Sequence, residues 1–265
     1  NPIIHLLKKF LLFILLSIIS CSKDENQISE PVVDDLYFPA IDSDQWETLN
    51  PEELNWDSVE IENLYEFLEH NYTRPFVVLK DGKIEIKNYR GSNILNTAPF
   101  DRNSSWYWAS AGKTLTALMV GIAQEDGLLS IEDSSAIYLG NGWTSLTTEQ
   151  EGLIKIKHQL TMTTGLDYQV VNLNCTDPDC LSYKNTPGTN WFYHNATYSL
   201  LKDVIENATE NSYNEFTNQK VKIKIGMGGS WIQLNNSDTY YSTARDMARF
   251  GLLILNEGVW DEDVI

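Results

Sequence analysis

Positive charge is scarce in this chain. Lysine and arginine number 19 against 37 aspartates and glutamates, for a formal net charge of −18. So acidic a chain has no electrostatic hold on a phosphate backbone, which argues against a nucleic-acid partner. Three cysteines and four histidines leave no second cysteine pair and no histidine cluster, so a zinc site is disfavoured and neither metal nor cofactor is expected. Long apolar runs are also missing. The best, Phe10 to Ile19, is too short to span a bilayer. There is no internal repeat and no low-complexity tract. What remains is 265 residues with 42% hydrophobic content, enough for one large domain or two interleaved layers around a core.

The acidic excess is uneven. Asp24, Glu25, Glu30, Asp34, Asp35, Asp42, Asp44, Glu47, Glu52 and Glu53 face only Lys23, which reads as a solvated tether. Ahead of it, Lys8 and Lys9 precede the apolar run and Ser20-Cys21 closes it. A basic region, an apolar region and a small residue before a cut describe a secretory signal. Ile18-Ile19-Ser20-Cys21 resembles a bacterial lipobox, which would place a lipid on Cys21; the plainer alternative is an ordinary signal with a chance cysteine. The expected organisation is a signal over 1–21, an acidic tether and lead-in over 22–56, and a folded domain over 57–265. The implied location is an exported lipoprotein on a bacterial membrane, facing the periplasm or the cell surface.

The stretch from Ala109 to Ala123 is almost wholly apolar or small, with one charge, Lys113. Leu115, Leu118, Met119 and Ile122 recur at helical spacing, and a helix apolar nearly all round is a buried one. Ser110 lies three residues before Lys113, so the two share a helix face. Desolvation disfavours an amine's charged form, and such an amine can take the proton of a neighbouring hydroxyl, making a weak nucleophile a useful one. The structural alternative is that Ser110 only caps the helix and Lys113 reaches out to solvent.

Elsewhere, Asp57 with Glu60 predicts a helix start, with Ile61, Leu64, Tyr65 and Leu68 on its inner face. Phe76 to Leu79 reads as a strand, and Asp81-Gly82 as a hairpin turn. Gly127 stops the central helix, and a loop is expected from Leu128 to Leu139. A short helix around His158 ends at Gly165, with His158 as a hydrogen-bonding residue rather than a base. Asp167 to Asn190 is a long polar connection, a length that often carries function. Within it Cys175 and Cys180 flank turn residues, which reads as a disulfide; a metal site is the weaker alternative. Tyr198 to Ile205 reads as helical, and Thr243 with Asp246 predicts a capped helix over Ala244 to Leu255.

Five segments together carry a family likeness. Trp108-Ala109-Ser110-Ala111-Gly112-Lys113 is followed by Glu125-Asp126-Gly127-Leu128-Leu129-Ser130-Ile131-Glu132-Asp133. Ile156 to Leu166 comes next, then Pro187-Gly188-Thr189-Asn190-Trp191-Phe192-Tyr193-His194-Asn195, then Ser242 to Gly251. In this order they resemble the serine β-lactamase and penicillin-binding-protein superfamily. The absence of an E-x-x-L-N motif points to its class C-like branch. The resemblance implies an α/β (α+β) fold of the β-lactamase/transpeptidase type: an antiparallel sheet flanked by helices, plus an all-helical subdomain. It implies Ser110 as acylated nucleophile, Lys113 as base or relay, Tyr193 as second acid or base, and Asn195 as a substrate-binding amide, with His194 a spacer. Substrates would be small-molecule or peptide amides or esters. The aromatic surroundings suit apolar acyl groups, although most of those rings are expected in the core.

Two features depart from the pattern. The family's third box, K-T-G or H-x-G on a strand, does not follow Leu255, so the chain reads as a piece lacking the C-terminal strands and helix, nearly inactive and marginally stable as it stands. Thr164 takes a position where the family carries serine. Two classes stay open: a serine hydrolase, or a penicillin-binding or sensor module, including an inactive homologue.

Overall fold

Most elements begin and end on local signals. The computed structural model describes residues 36–234 and 237–265. Cys21 and the signal assigned to 1–21 lie outside the described residues, as does the first part of the acidic tether, residues 22–35. Helix α1, Ser58–His70, starts where the Asp57 carboxylate accepts from Val59 N at 2.8 Å. Its inner face is as expected, but only Leu68 is fully buried. Strands β1 (Pro75–Lys80) and β2 (Lys83–Tyr89) pair antiparallel. Asp81 and Gly82 both take positive φ, 51° and 79°, as a two-residue hairpin turn demands. At Gly82 a side chain is excluded twice over, because a Cβ would sit 1.9 Å from the Tyr37 carbonyl oxygen.

The central helix α2 spans Gly112–Glu125, preceded by the two-residue strand β3 (Trp106–Tyr107) and a 3₁₀ turn, Ala109–Ala111. It is not buried all round. Leu115, Met119, Val120, Ile122 and Ala123 enter the core, while Thr114, Ala117, Gly121 and Gln124 face water. The apolar character of the outer face comes from small residues, which give up little by being wet. Short helices follow: α3 (Ala136–Leu139), inside a stretch expected to be a loop, then α4 (Thr148–Glu151) and α5 (Ile156–Leu160). The last is shorter than the sequence suggested, because Met162 already turns left-handed at φ 57°, before Gly165. Helices α6 (Asn195–Ser199), α7 (Leu201–Thr209) and α8 (Tyr213–Thr217) lead into β4 (Ser230–Leu234) and β5 (Ser237–Ser242). Helix α9, Ala244–Leu255, opens with a full capping box between Thr243 and Asp246. A small hairpin, β6 (Val259–Trp260) and β7 (Asp263–Val264), follows.

The fold is mixed α and β, and the seven strands pair antiparallel. The strands fall into three groups, β1-β2, β3-β5-β4 and β6-β7. The main core joins α2, α7, α8 and α9 to the sheets through residues such as Leu115, Met119, Ile205, Phe216, Tyr240 and Leu252. A second, smaller core of Trp143, Ile154, Leu166, Leu181 and Ala196 holds the helical part together.

Residues 36–56 pack with the domain assigned to 57–265, within one compact unit, Leu36–Ile265. Leu36, Tyr37 and Phe38 pack on the core and Trp46 is buried in it. Thr48 bridges β2 at Ile84. The buried guanidinium of Arg249 donates to the carbonyls of Pro39, Ala40, Ser43 and Ile225. Acidity marked this segment as solvated, but three aromatic side chains in ten residues, Tyr37, Phe38 and Trp46, outweigh its charges. Among the described residues no helix is long and apolar enough to cross a membrane.

Candidate active site

Three anchors fix the entry to α2. Trp108 N donates to the Tyr240 carbonyl at 2.8 Å, and Trp108 Nε1 to Ser242 Oγ at 2.8 Å. Below the first turn lies the Trp231 ring, 3.3 Å from where a Cβ on Gly112 would stand, so a side chain there would have to push the indole away by a few tenths of an ångström. Between these anchors Ala109 is held at φ 45°, a left-handed conformation that costs a residue bearing a Cβ free energy. Ser110 therefore sits on a sharp 3₁₀ turn just ahead of the helix, not inside it, and Lys113 stands one residue into the helix.

Tyr193 arrives from the far end of the long connection. Its Oη donates to Ser110 Oγ at 2.8 Å, across 83 residues of sequence. The Lys113 ammonium lies 5.3 Å from the centre of the Tyr193 ring. Partial desolvation pushes the Tyr193 phenol up, but its hydrogen bond with Ser110 and the nearby positive charge of Lys113 outweigh that, leaving it below the ordinary tyrosine value. Lys113 is half-buried, so the sequence picture of an amine stripped of water does not hold. Its environment is set by aromatic neighbours instead.

Asn195 opens α6, two residues after Tyr193, and its Oδ1 is buried with no partner among the described residues. It lines the same cleft as Ser110 and Lys113, a volume of about 270 Å³. Lys202 and Asp238, paired at 3.3 Å, also line the cleft, as does Trp231. The four residues singled out from sequence, Ser110, Lys113, Tyr193 and Asn195, thus come together in one place. His194 does not join them. It is buried, its Nε2 faces the Asp167 carbonyl at 3.3 Å, and desolvation holds its pKa below the usual value. His158 stays structural, Nδ1 accepting from Lys155 N at 3.1 Å.

The long connection borders the cleft. Cys175 and Cys180 are disulfide-bonded. Asn174, next to that bond, lines the cleft, and the Leu173 carbonyl accepts from Ala196 N at 2.8 Å. Of the aromatic residues, Trp108, Trp231 and Tyr240 are core, and Trp191 is exposed beside the site. Sequence reasoning missed Lys202 and Asp238, which carry no local signal, and Tyr198. The Tyr198 ring lies 5.6 Å from the Lys113 ammonium and its Oη donates to the Lys113 carbonyl at 2.8 Å. Its three-residue spacing from Asn195 was the available clue. Among the described residues no cluster of histidine, cysteine or acidic side chains could hold a metal.

Comparison with known proteins adds the following. Residues 75–263 match the family described as Beta-lactamase. Penicillin-binding protein 4* of Bacillus subtilis is 28% identical over 187 residues, which is 63% of this chain and 40% of that protein. A β-lactamase of Pseudomonas fluorescens is 24% identical over 179 residues, 64% of this chain and 49% of that protein. The chain thus spans less than half the length of either relative. The octameric penicillin-binding protein homologue from Pyrococcus abyssi superposes with a TM-score of 0.60 at 17% identity, covering 79% of this chain and 58% of that one; at that identity the likeness speaks to the fold.

Proposed function

The chain belongs to the Beta-lactamase family, and on that footing we propose that it is a serine hydrolase that cleaves an amide or ester through an acyl-enzyme on Ser110. The observation that carries this reading is the 2.8 Å hydrogen bond joining Tyr193 Oη to Ser110 Oγ. A phenol whose pKa is lowered by its hydrogen bond to Ser110 and by a nearby ammonium gives up its proton more readily than a free tyrosine, which suits it to act as the base. In the proposed cycle Tyr193, as phenolate, takes the Ser110 proton while Oγ bonds to the acyl carbon. The Ser110 N–H, at a helix start, donates to the developing oxyanion. Collapse breaks the C–N or C–O bond, and Tyr193 returns the proton to the departing atom. Water then attacks the acyl-serine ester, Tyr193 takes its proton, the ester bond breaks, and Ser110 recovers its hydrogen. Lys113 keeps the phenol's charge balanced, and the unpartnered Asn195 Oδ1 accepts an N–H of the substrate.

The substrate class extends from β-lactams and D-alanyl peptides to small esters and oligomeric amides. The branch is class C-like, and the protein is exported and held to a bacterial membrane by a lipid on Cys21.

Intact mass after a fluorophosphonate probe tests the assignment. One phosphonyl group should appear on Ser110, with loss of fluoride, and vanish in Ser110→Ala. No adduct on folded protein overturns it. A penicillin adduct that forms and never clears, with no ester turnover, would assign the site to binding or sensing instead.

A further inference from the structure

Among the described residues no carboxylate forms a salt bridge with Lys113. A lysine side chain has four rotatable bonds and leaves a helix surface readily, yet the chemistry above needs its ammonium beside Tyr193. What meets it is aromatic. The ammonium stands 5.3 Å from the Tyr193 ring centre and 5.6 Å from that of Tyr198, both within the range at which a cation is drawn to a ring face.

Tyr198 is not a passive neighbour. It is 6% exposed, and its hydroxyl donates to the carbonyl of Lys113 itself at 2.8 Å. It shares α6 with Asn195 at helical spacing. One side chain therefore grips the lysine at two points, the backbone at the start of α2 and the charged end.

We propose that Tyr198 is a positioning residue for this site, its ring and hydroxyl together holding the Lys113 ammonium against Tyr193. The inference rests on the serine hydrolase reading for its purpose but not for its geometry. Without the ring, Lys113 swings toward water and the phenol loses its counter-charge. Phenolate then forms at higher pH, and the acid limb of any activity that needs it moves up. The other groups around the site stay in place. Lys202 and Asp238 pair with each other, Tyr213 is held by Thr116 at 2.6 Å, and His194 faces the Asp167 carbonyl.

The test keeps the shape and changes the ring's electrostatics. Tyr198→Phe and a series of increasingly fluorinated phenylalanines at 198 are titrated by phenolate absorbance, with Tyr193→Phe in each background as the blank. Fluorine weakens the attraction for a cation, so the Tyr193 midpoint should climb stepwise by about one pH unit over the series. At neutral pH kcat should fall about tenfold with KM unchanged. Tyr198→Met, with similar bulk and no ring, should match the most fluorinated variant. A midpoint that ignores fluorination overturns the proposal. Because the titration needs no turnover, an inactive protein with a fluorine-dependent midpoint refutes the hydrolase reading and keeps this one; active protein with a flat titration does the reverse.

Discussion

Removing one guanidinium should unfasten the start of the folded unit. Arg249 is 5% exposed and lies 5.3 Å and 5.7 Å from the centres of the Trp46 and Trp260 rings. It donates to Ile225 O at 2.7 Å, Ala40 O at 2.9 Å, and Pro39 O and Ser43 O at 3.2 Å each. In Arg249→Leu the Ala40 and Ser43 carbonyls lie near enough to the surface to find water. Those of Pro39 and Ile225 do not, and a buried acceptor left alone costs about 1–3 kcal/mol. Relief from burying the guanidinium offsets part of this sum, leaving a loss of about 3 kcal/mol. For a unit of this size that corresponds to about 6–12 °C in Tm. Urea unfolding would measure the loss, and limited proteolysis would locate it within residues 36–50. Arg249→Lys should recover less than half, because an ammonium cannot span four carbonyls as a planar fork does. An Arg249→Leu protein within about 0.5 kcal/mol of the parent, with residues 36–50 equally protected, would refute the reasoning.

Three further outcomes are expected. Tyr193→Phe should slow phosphonylation of Ser110 by about 10²–10⁴-fold, the usual loss with a general base, while melting near the parent temperature; an unchanged labelling rate would remove Tyr193 from the chemistry. Thr243→Ala should cost about 1 kcal/mol in urea unfolding, since its hydroxyl caps α9 by accepting from Asp246 N at 3.2 Å; no loss would mean that the Asp246 contacts suffice. Hydrogen bonds from Lys155 and then Lys157 hold the Glu132 carboxyl down to about 2. A depressed carboxyl stabilises above its unfolded value, about 4.3, and that support is lost as pH falls through about 2. A carbon NMR titration of Glu132 with a midpoint near 4 would contradict this.

Helix starts were legible because capping is local: Asp57 and Thr243 sit within three residues of the amides they serve. The hairpin at Asp81-Gly82 was legible for the same reason, since two positive-φ residues between alternating strands allow few other conformations. The one-sidedness of α2 was not. Small residues such as Ala117 and Gly121 look apolar in sequence whether they face the core or water, and only the packing partners distinguish the cases. The packing of residues 36–56 was hidden by acidic composition, because charge density says nothing about where Trp46 can go. Met162 ended α5 early although nothing in its own chemistry predicts a left-handed turn.

The cleft divides along the same line. Ser110 and Lys113 lie three apart, and Tyr193 and Asn195 two apart, so each pair was readable within a helical turn or a tight loop. Side-chain chemistry and short-range spacing therefore named the groups. Their meeting across 83 residues, the strained turn at Ala109, the Lys202–Asp238 pair and the grip of Tyr198 on Lys113 came only with the tertiary structure. The reason is physical: backbone geometry correlates neighbours over a few residues, whereas the distance between remote segments is set by how the whole core closes.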